Sequence, residues 1–206
     1  MASESFVEVT QGTGTKTHSL QRVIGVNTVE QSVVVRGEPY LASYLVTQGG
    51  SAGQSIATAN TNLVQLLAGA SLRVYLRRIR IYQRALATTA AICGFDVVRA
   101  TTAGTGGTAV TPARRDTTDS ASGASVLYGI TSPGTLTTTV DASTVFIPQA
   151  VMGGQQNGLL VDLDYRGPGK ALIIPAGTAN GIVVRNRDAI AAATVVIVLD
   201  FDEANF

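Results

Sequence analysis

Residues able to do covalent or metal chemistry are few in this chain of 206. His18 is the single histidine and Cys93 the single cysteine. A nucleophile–histidine–acid triad needs its imidazole beside an ordered serine or cysteine. His18 instead stands in a polar, Gly/Thr-rich stretch away from any predicted strand. Metal centres of the cupin type draw on several histidines, so the histidine count closes that route. Neither a metal nor a cofactor is expected. One cysteine excludes an internal disulfide. In AICGFDVV it alternates with Ala91, Phe95 and Val97, which marks an inert thiol buried as a small hydrophobe. The segment GTGTKT at 12–17 lacks the glycine directly before the lysine that a phosphate loop requires, and no strand precedes it.

Two acidic groups remain, Asp162 with Asp164 and Asp200 with Asp202 and Glu203. Carboxylates at i and i+2 share one strand face, where they could hold calcium or flank a glycosidic bond. No Asn- or Gly-rich ion loop accompanies either pair, so the reading preferred is a solvated strand face that discourages mispairing. Arg77, Arg78, Arg80 and Arg84 form the one basic patch. Arg78 and Arg80 are expected to lean outward and to pair with acids of a neighbouring strand or subunit. A nucleic-acid site would interleave more aromatics than Tyr75 and Tyr82, and a net charge of +1 gives no broad attractive field. Neither nucleic acid nor membrane is an expected partner. An enzyme is not expected, and a glycosidase using the acidic pairs is the weakest of the readings.

The element that positions these groups is Leu72–Arg84, LRVYLRRIRIYQR. Leu72, Val74 and Leu76 fall on one face, and at Arg77–Arg78 the parity slips to Ile79 and Ile81. A one-residue slip in a strand would turn the second half inside out. A β-bulge at Arg77–Arg78 keeps all five aliphatics on the core side, and that is the geometry predicted. Leu159, Val161, Leu163 and Tyr165 alternate inward, with Asp162 and Asp164 outward. Val195, Ile197, Leu199 and Phe201 face in, with Asp200 and Asp202 out. Val196, Val198 and Leu160 place extra aliphatics on the nominal outer side, which marks a contact surface.

Shorter strands are expected at Val33–Arg36, Tyr40–Thr47, Leu63–Ala68, Ala91–Thr102, Val126–Ile130, Thr137–Ile147, Ala171–Ile174 and Gly181–Asn186. Leu63, Val64, Leu66 and Leu67 also fit helical spacing. Gly69-Ala70-Ser71 is expected to close a hairpin into the Leu72 strand, and Gly104-Thr105-Gly106-Gly107 to turn into Thr108–Thr111. With 22 glycines, a charged fraction of 14% and no alternating helices, the chain reads as all-β, an antiparallel two-sheet sandwich. Strand number and length favour the jelly roll over the immunoglobulin type, whose Cys…Trp…Cys spacing is absent.

The N-terminal 28 residues carry sparse apolar groups and cannot build a core alone. They are read as an extended N-terminal arm, 1–28, before a sandwich domain, 29–206. Phe6, Val9, Leu20, Val23 and Ile24 are its expected docking anchors. MASESFVEVT lacks the basic and apolar regions of a signal peptide. The longest apolar run, Ala189–Leu199, is 11 residues interrupted by Thr194, too short to span a bilayer.

Three stretches together carry a resemblance: LVQLLAGASLRVYLRRIRIYQRA, FDVVRATTAGTGGTAVTP, and GKALIIPAGTANGIVVRN followed by ATVVIVLDFDE. In this order they resemble small jelly-roll virion proteins of tailed bacteriophages, over about residues 57–201. The resemblance implies a virion location on the capsid as decoration or head fibre, or on the tail, after synthesis in the host bacterial cytoplasm. It also implies a homo-oligomer, with a trimer favoured, and other virion structural proteins as partners. It carries over no catalytic or binding residue. The rival reading is a host-glycan or receptor-binding module of a phage tail or fibre, for which Tyr40, Tyr44, Tyr128 and Tyr165 are the available aromatics.

Overall fold

The structure, a computed structural model, describes residues 18–24, 27–33, 41–47, 53–85, 92–146, 158–165 and 172–204. The regular elements among them are all strands: β1 (His18–Ile24), β2 (Asn27–Val33), β3 (Ala42–Thr47), β4 (Gln54–Ser55), β5 (Asn62–Leu67), β6 (Arg73–Ala85), β7 (Cys93–Ala100), β8 (Thr108–Val110), β9 (Ala113–Arg114), β10 (Ser125–Tyr128), β11 (Leu136–Phe146), β12 (Leu159–Asp164), β13 (Leu172–Ile174), β14 (Gly181–Asn186) and β15 (Thr194–Ala204). The chain divides into two units, Met1–Tyr40 and Leu41–Phe206. In the first, β1 and β2 pair as an antiparallel hairpin from His18↔Val33 to Ile24↔Asn27. His18 therefore opens a strand, against expectation, and the expected domain boundary at 28/29 falls inside β2.

The second unit is a β-sandwich of two antiparallel sheets. The six-stranded sheet runs β11-β7-β14-β5-β10-β8, and the seven-stranded sheet runs β12-β6-β15-β3-β9, with β13 added to β6 and β4 to β15. β15 is the axis of the second sheet, paired with β6 along one edge and with β3 and β4 along the other. Val195, Ile197, Leu199 and Phe201 point from it into the core. Tyr44 of β3 stacks on Phe201 at 5.5 Å between ring centroids. The buried Tyr128 hydroxyl crosses between the sheets to donate to Ile197 O at 3.0 Å.

Three register shifts decide which side chains reach the core. Asp200 lies opposite Arg78 and Phe201 opposite Leu76, so Arg77 is the extra residue of a bulge in β6. Leu76 and Ile79, three positions apart, are both fully buried with Val74 and Ile81, as the parity slip predicts; Leu72 is half-buried before the strand begins. A second bulge lies at Leu160, between Leu159↔Tyr82 and Val161↔Ile81. It corrects two expectations at once. Leu160 packs against the core instead of facing out, and Leu159 is left 49% exposed instead of facing in. The third shift, in β5, pairs Val184 with Val64 and Arg185 with Asn62, so Leu63 is extra and both Leu63 and Val64 enter the core. The helix-like spacing of the LVQLL stretch is the imprint of a bulged strand.

Two expected hairpins are not formed. β5 and β6 lie in different sheets, so Gly69-Ala70-Ser71 carries the chain across the sandwich. β7 pairs with β11 and β14, while β8 pairs with β10. The Gly106 and Gly107 backbones do take positive φ, +74° and +82°, but the turn they make leads away from β7 to the far edge of the same sheet. Gly-rich sequence specifies that a turn exists, not which strands it joins.

Candidate functional site

The densest cluster of charged side chains among the described residues lies on the outer face of the seven-stranded sheet. The β6 bulge aims both Arg77 and Arg78 away from the core, because the extra residue leaves two successive side chains on one side. Arg78 grips Asp162 of β12 through Nε, at 2.6 Å, and a still closer Nη2 contact. That hydrogen-bonded pairing raises the Arg78 pKa and holds the Asp162 carboxyl below the usual aspartate value. Arg77 Nε donates to Asp202 Oδ2 at 2.5 Å, and Ser43 Oγ donates to Asp202 Oδ1 at 2.6 Å. Arg115 forks onto Asp200 through Nε at 3.2 Å and Nη2 at 2.7 Å. Ser43, Arg77, Arg115, Asp200 and Asp202 together line a shallow polar cleft.

Of the two arginines expected to lean outward, Arg78 meets an acid of a neighbouring strand within the chain, whereas Arg80 donates Nη1 to the Tyr82 hydroxyl at 3.3 Å. The acidic pairs are consumed the same way: Asp162, Asp200 and Asp202 each accept from an arginine. The Ser43 hydroxyl, the one hydroxyl among the described residues lining the cleft, is itself committed to Asp202. Among the described residues no three His, Cys, Asp or Glu side chains gather as a metal-binding group. Val198, expected as an exposed aliphatic of this face, is only 8% exposed, while Val196 is half-buried. Large exposed aliphatics among the described residues are Leu159 and Ile92, the latter 62% exposed.

Glu203 behaves differently from its neighbours. Its parity matches Phe201, on the inner side, and a carboxylate there must be hydrogen-bonded. Its oxygens accept from Ser122 Oγ at 2.8 Å, Gly123 N at 3.0 Å and Ala124 N at 2.8 Å. Grouping Glu203 with the outward aspartates missed this role, which alternation alone could have revealed.

A second constellation, absent from the sequence reading, is built on Gln65. This fully buried side chain accepts from Gly104 N at 2.8 Å and donates to Pro133 O at 3.1 Å. Loops 101–107 and 129–135 are pinned together by reciprocal Thr105–Ser132 backbone bonds of 2.7 and 3.1 Å. The brace presents Thr101, Thr102, Thr105, Thr131 and Ser132 to solvent. A lone Gln within an aliphatic run was the available signal.

Cys93 is buried as expected, and burial pushes its thiol up to about 11. Burial likewise raises the Tyr128 hydroxyl. Of the expected docking anchors, Phe6 and Val9 lie outside the described residues, whereas Leu20, Val23 and Ile24 fall on β1, opposite Gln31, Thr28 and Asn27. Tyr40 also lies outside the described residues. Comparison with known proteins adds no relative: no protein-family model, no curated protein and no solved structure matches this chain.

Proposed function

We propose that this chain is a structural virion protein of a tailed bacteriophage, an oligomeric jelly-roll subunit that docks on the capsid or tail through its N-terminal segment and surface loops. The observation that carries the fold part is the nesting of strand pairs. Among its described residues the second unit has eight strands of six residues or more: β3, β5, β6, β7, β11, β12, β14 and β15. The first pairs with the last, β3 with β15; the second with the seventh, β5 with β14; the third with the sixth, β6 with β12; the fourth with the fifth, β7 with β11. Every pair is antiparallel, and successive pairs alternate between the two sheets. A long hairpin rolled into a sandwich has this order, and a jelly roll is such a roll.

The role rests on the resemblance of the three stretches and on the chemistry of the surface. The carboxylates and arginines of the charged face serve strand-to-strand pairing, which suits a scaffold. The homo-oligomer, a trimer by preference, rests on the resemblance alone, because Val198 is covered and Leu160 is turned inward. The Gln65-braced Thr/Ser loops favour a second reading, a module that binds a host glycan or receptor by hydroxyl and backbone groups. Protein quantification of purified particles tests the first reading. A fixed, symmetric copy number per particle is the expected result. Abundant protein in the infected-cell lysate with none on purified particles would overturn it, and selective retention on a glycan array would favour the second reading.

A further inference from the structure

Residues 113–124, ARRDTTDSASGA, run from the edge of one sheet into the other. They begin as β9 on the seven-stranded sheet and lead into β10 of the six-stranded sheet. Between Ala113 and Ala124 only Asp119 and Ala124 are buried. Ordering this backbone is therefore offset by little apolar burial, and such segments open at low free energy while the core stays closed.

What holds the segment is a set of polar latches. Arg114 and Ala113 pair with Tyr44 and Leu45 of β3, and Arg115 N donates to Ser43 O at 2.9 Å. Ser43 N donates to Asp119 Oδ2 at 3.4 Å, and the Tyr44 hydroxyl to Ser120 O at 3.0 Å. Asp200 takes the Arg115 guanidinium in a fork, and Glu203 takes Ser122, Gly123 and Ala124. Beneath β9, β3 is a strand whose remaining side carries no other strand among those described. The edge thus offers a ladder of backbone groups and, beside it, a carboxylate shaped for an arginine.

We infer that the β3 edge is a strand-acceptor site for an extended, arginine-bearing peptide segment, and that residues 113–124 are a built-in strap that occupies it. Backbone pairing with β3 supplies attachment, and the bidentate Asp200–guanidinium geometry selects arginine at the position of Arg115. The inference rests on the sandwich alone and stands apart from the virion reading.

The test uses the full-length protein and a labelled synthetic peptide copying residues 110–117, with a second peptide carrying glutamate at the position of Arg115. Arg115→Ala releases one latch and leaves the acceptor intact; its side chain is 48% exposed, so the fold is not at stake. Relative to the native protein, the variant is expected to bind the arginine peptide roughly tenfold more tightly, about 1.4 kcal/mol. Trypsin cleavage after Arg114 is expected to rise by a similar factor, since cutting follows local opening. The glutamate peptide is expected to bind neither protein. Equal peptide binding and equal cleavage in both proteins would overturn the inference, as would binding of the glutamate peptide. Ser122→Ala, which removes one Glu203 partner, repeats the test in the same direction. Loss of the fold in both variants would make the segment part of the cooperative core and would equally overturn it.

Discussion

The two sheets of the sandwich solve the problem of their second face in opposite ways. In the six-stranded sheet, Ile182 and Val184 enter the shared core, yet Val183 between them is also fully buried, opposite Gln65 and Val98. Gln65 ties the loops at 101–107 and 129–135 to that face. In the seven-stranded sheet the second face carries arginine–aspartate pairs, with Val198 opposite Arg80 and Val196 opposite Tyr82. One face is closed by chain and the other by charge. A sheet buried on both sides reads as continuous apolar sequence, and a sheet with one solvated side reads as alternation. The difference teaches where each sheet tolerates change.

The largest effect belongs to the core side. Ile79→Asp, beside the bulge, is expected to destabilise by about 3–5 kcal/mol, the range for a charge left buried without a partner, read by urea unfolding. Tolerance like that of a surface change would mean the bulge is not there. The comparison itself is sharpest in a pair of valines that both face away from the shared core. Val183→Asp is expected to approach the cost of Ile79→Asp. Val196→Asp is expected to stay within about 1 kcal/mol, as a partly exposed position with arginines near it. Equal costs would erase the distinction between the sheets.

Next in size is Gln65→Leu, which keeps volume but orphans Gly104 N and Pro133 O. Each unmet group costs about 1–3 kcal/mol, and hydrogen exchange should quicken across 101–107 before the strands. The smallest effect is acidic. The Asp162 carboxyl, hydrogen-bonded by Arg78, titrates below its ordinary 3.8. A lowered folded value means that the unfolded chain binds the proton first as pH falls. The pair's contribution is then complete above the unfolded value and is lost as pH drops through the folded one. Arg78→Ala should therefore narrow its difference from the native protein in melts taken progressively below pH 4. A difference that grows on acidification would contradict the pairing.

How far sequence could see follows from the same contrast. Along β6 and β15, polar and apolar residues alternate, so the slip at Arg77–Arg78 stood out and the outward Asp200 and Asp202 were legible. In β5 the run LVQLL is apolar on both sides and bulged at Leu63, so strand and helix spacing could not be separated. Pairing partners were less legible still. Gly69-Ala70-Ser71 and Gly104–Gly107 announce turns, but whether a turn closes a hairpin or crosses between sheets depends on contacts far along the chain. The partner of Asp200 shows why the charged face was only half readable. Arg115 sits in a stretch with loop composition, and nothing local says that loop folds back over β3. Leu160 was misplaced for a related reason: with only Asp162 and Asp164 to set the parity of β12, a bulge at its start leaves no mark.

We propose that the segment before the sandwich delivers it to a phage particle. The most direct measurement is particle incorporation of a chain beginning at Leu41, the first residue of the second unit, beside the full-length chain. The shortened protein is expected to fold with an unchanged thermal midpoint and to be missing from purified particles that carry the full-length protein. Incorporation of the shortened chain at the full copy number would contradict the account and place docking on the sandwich itself.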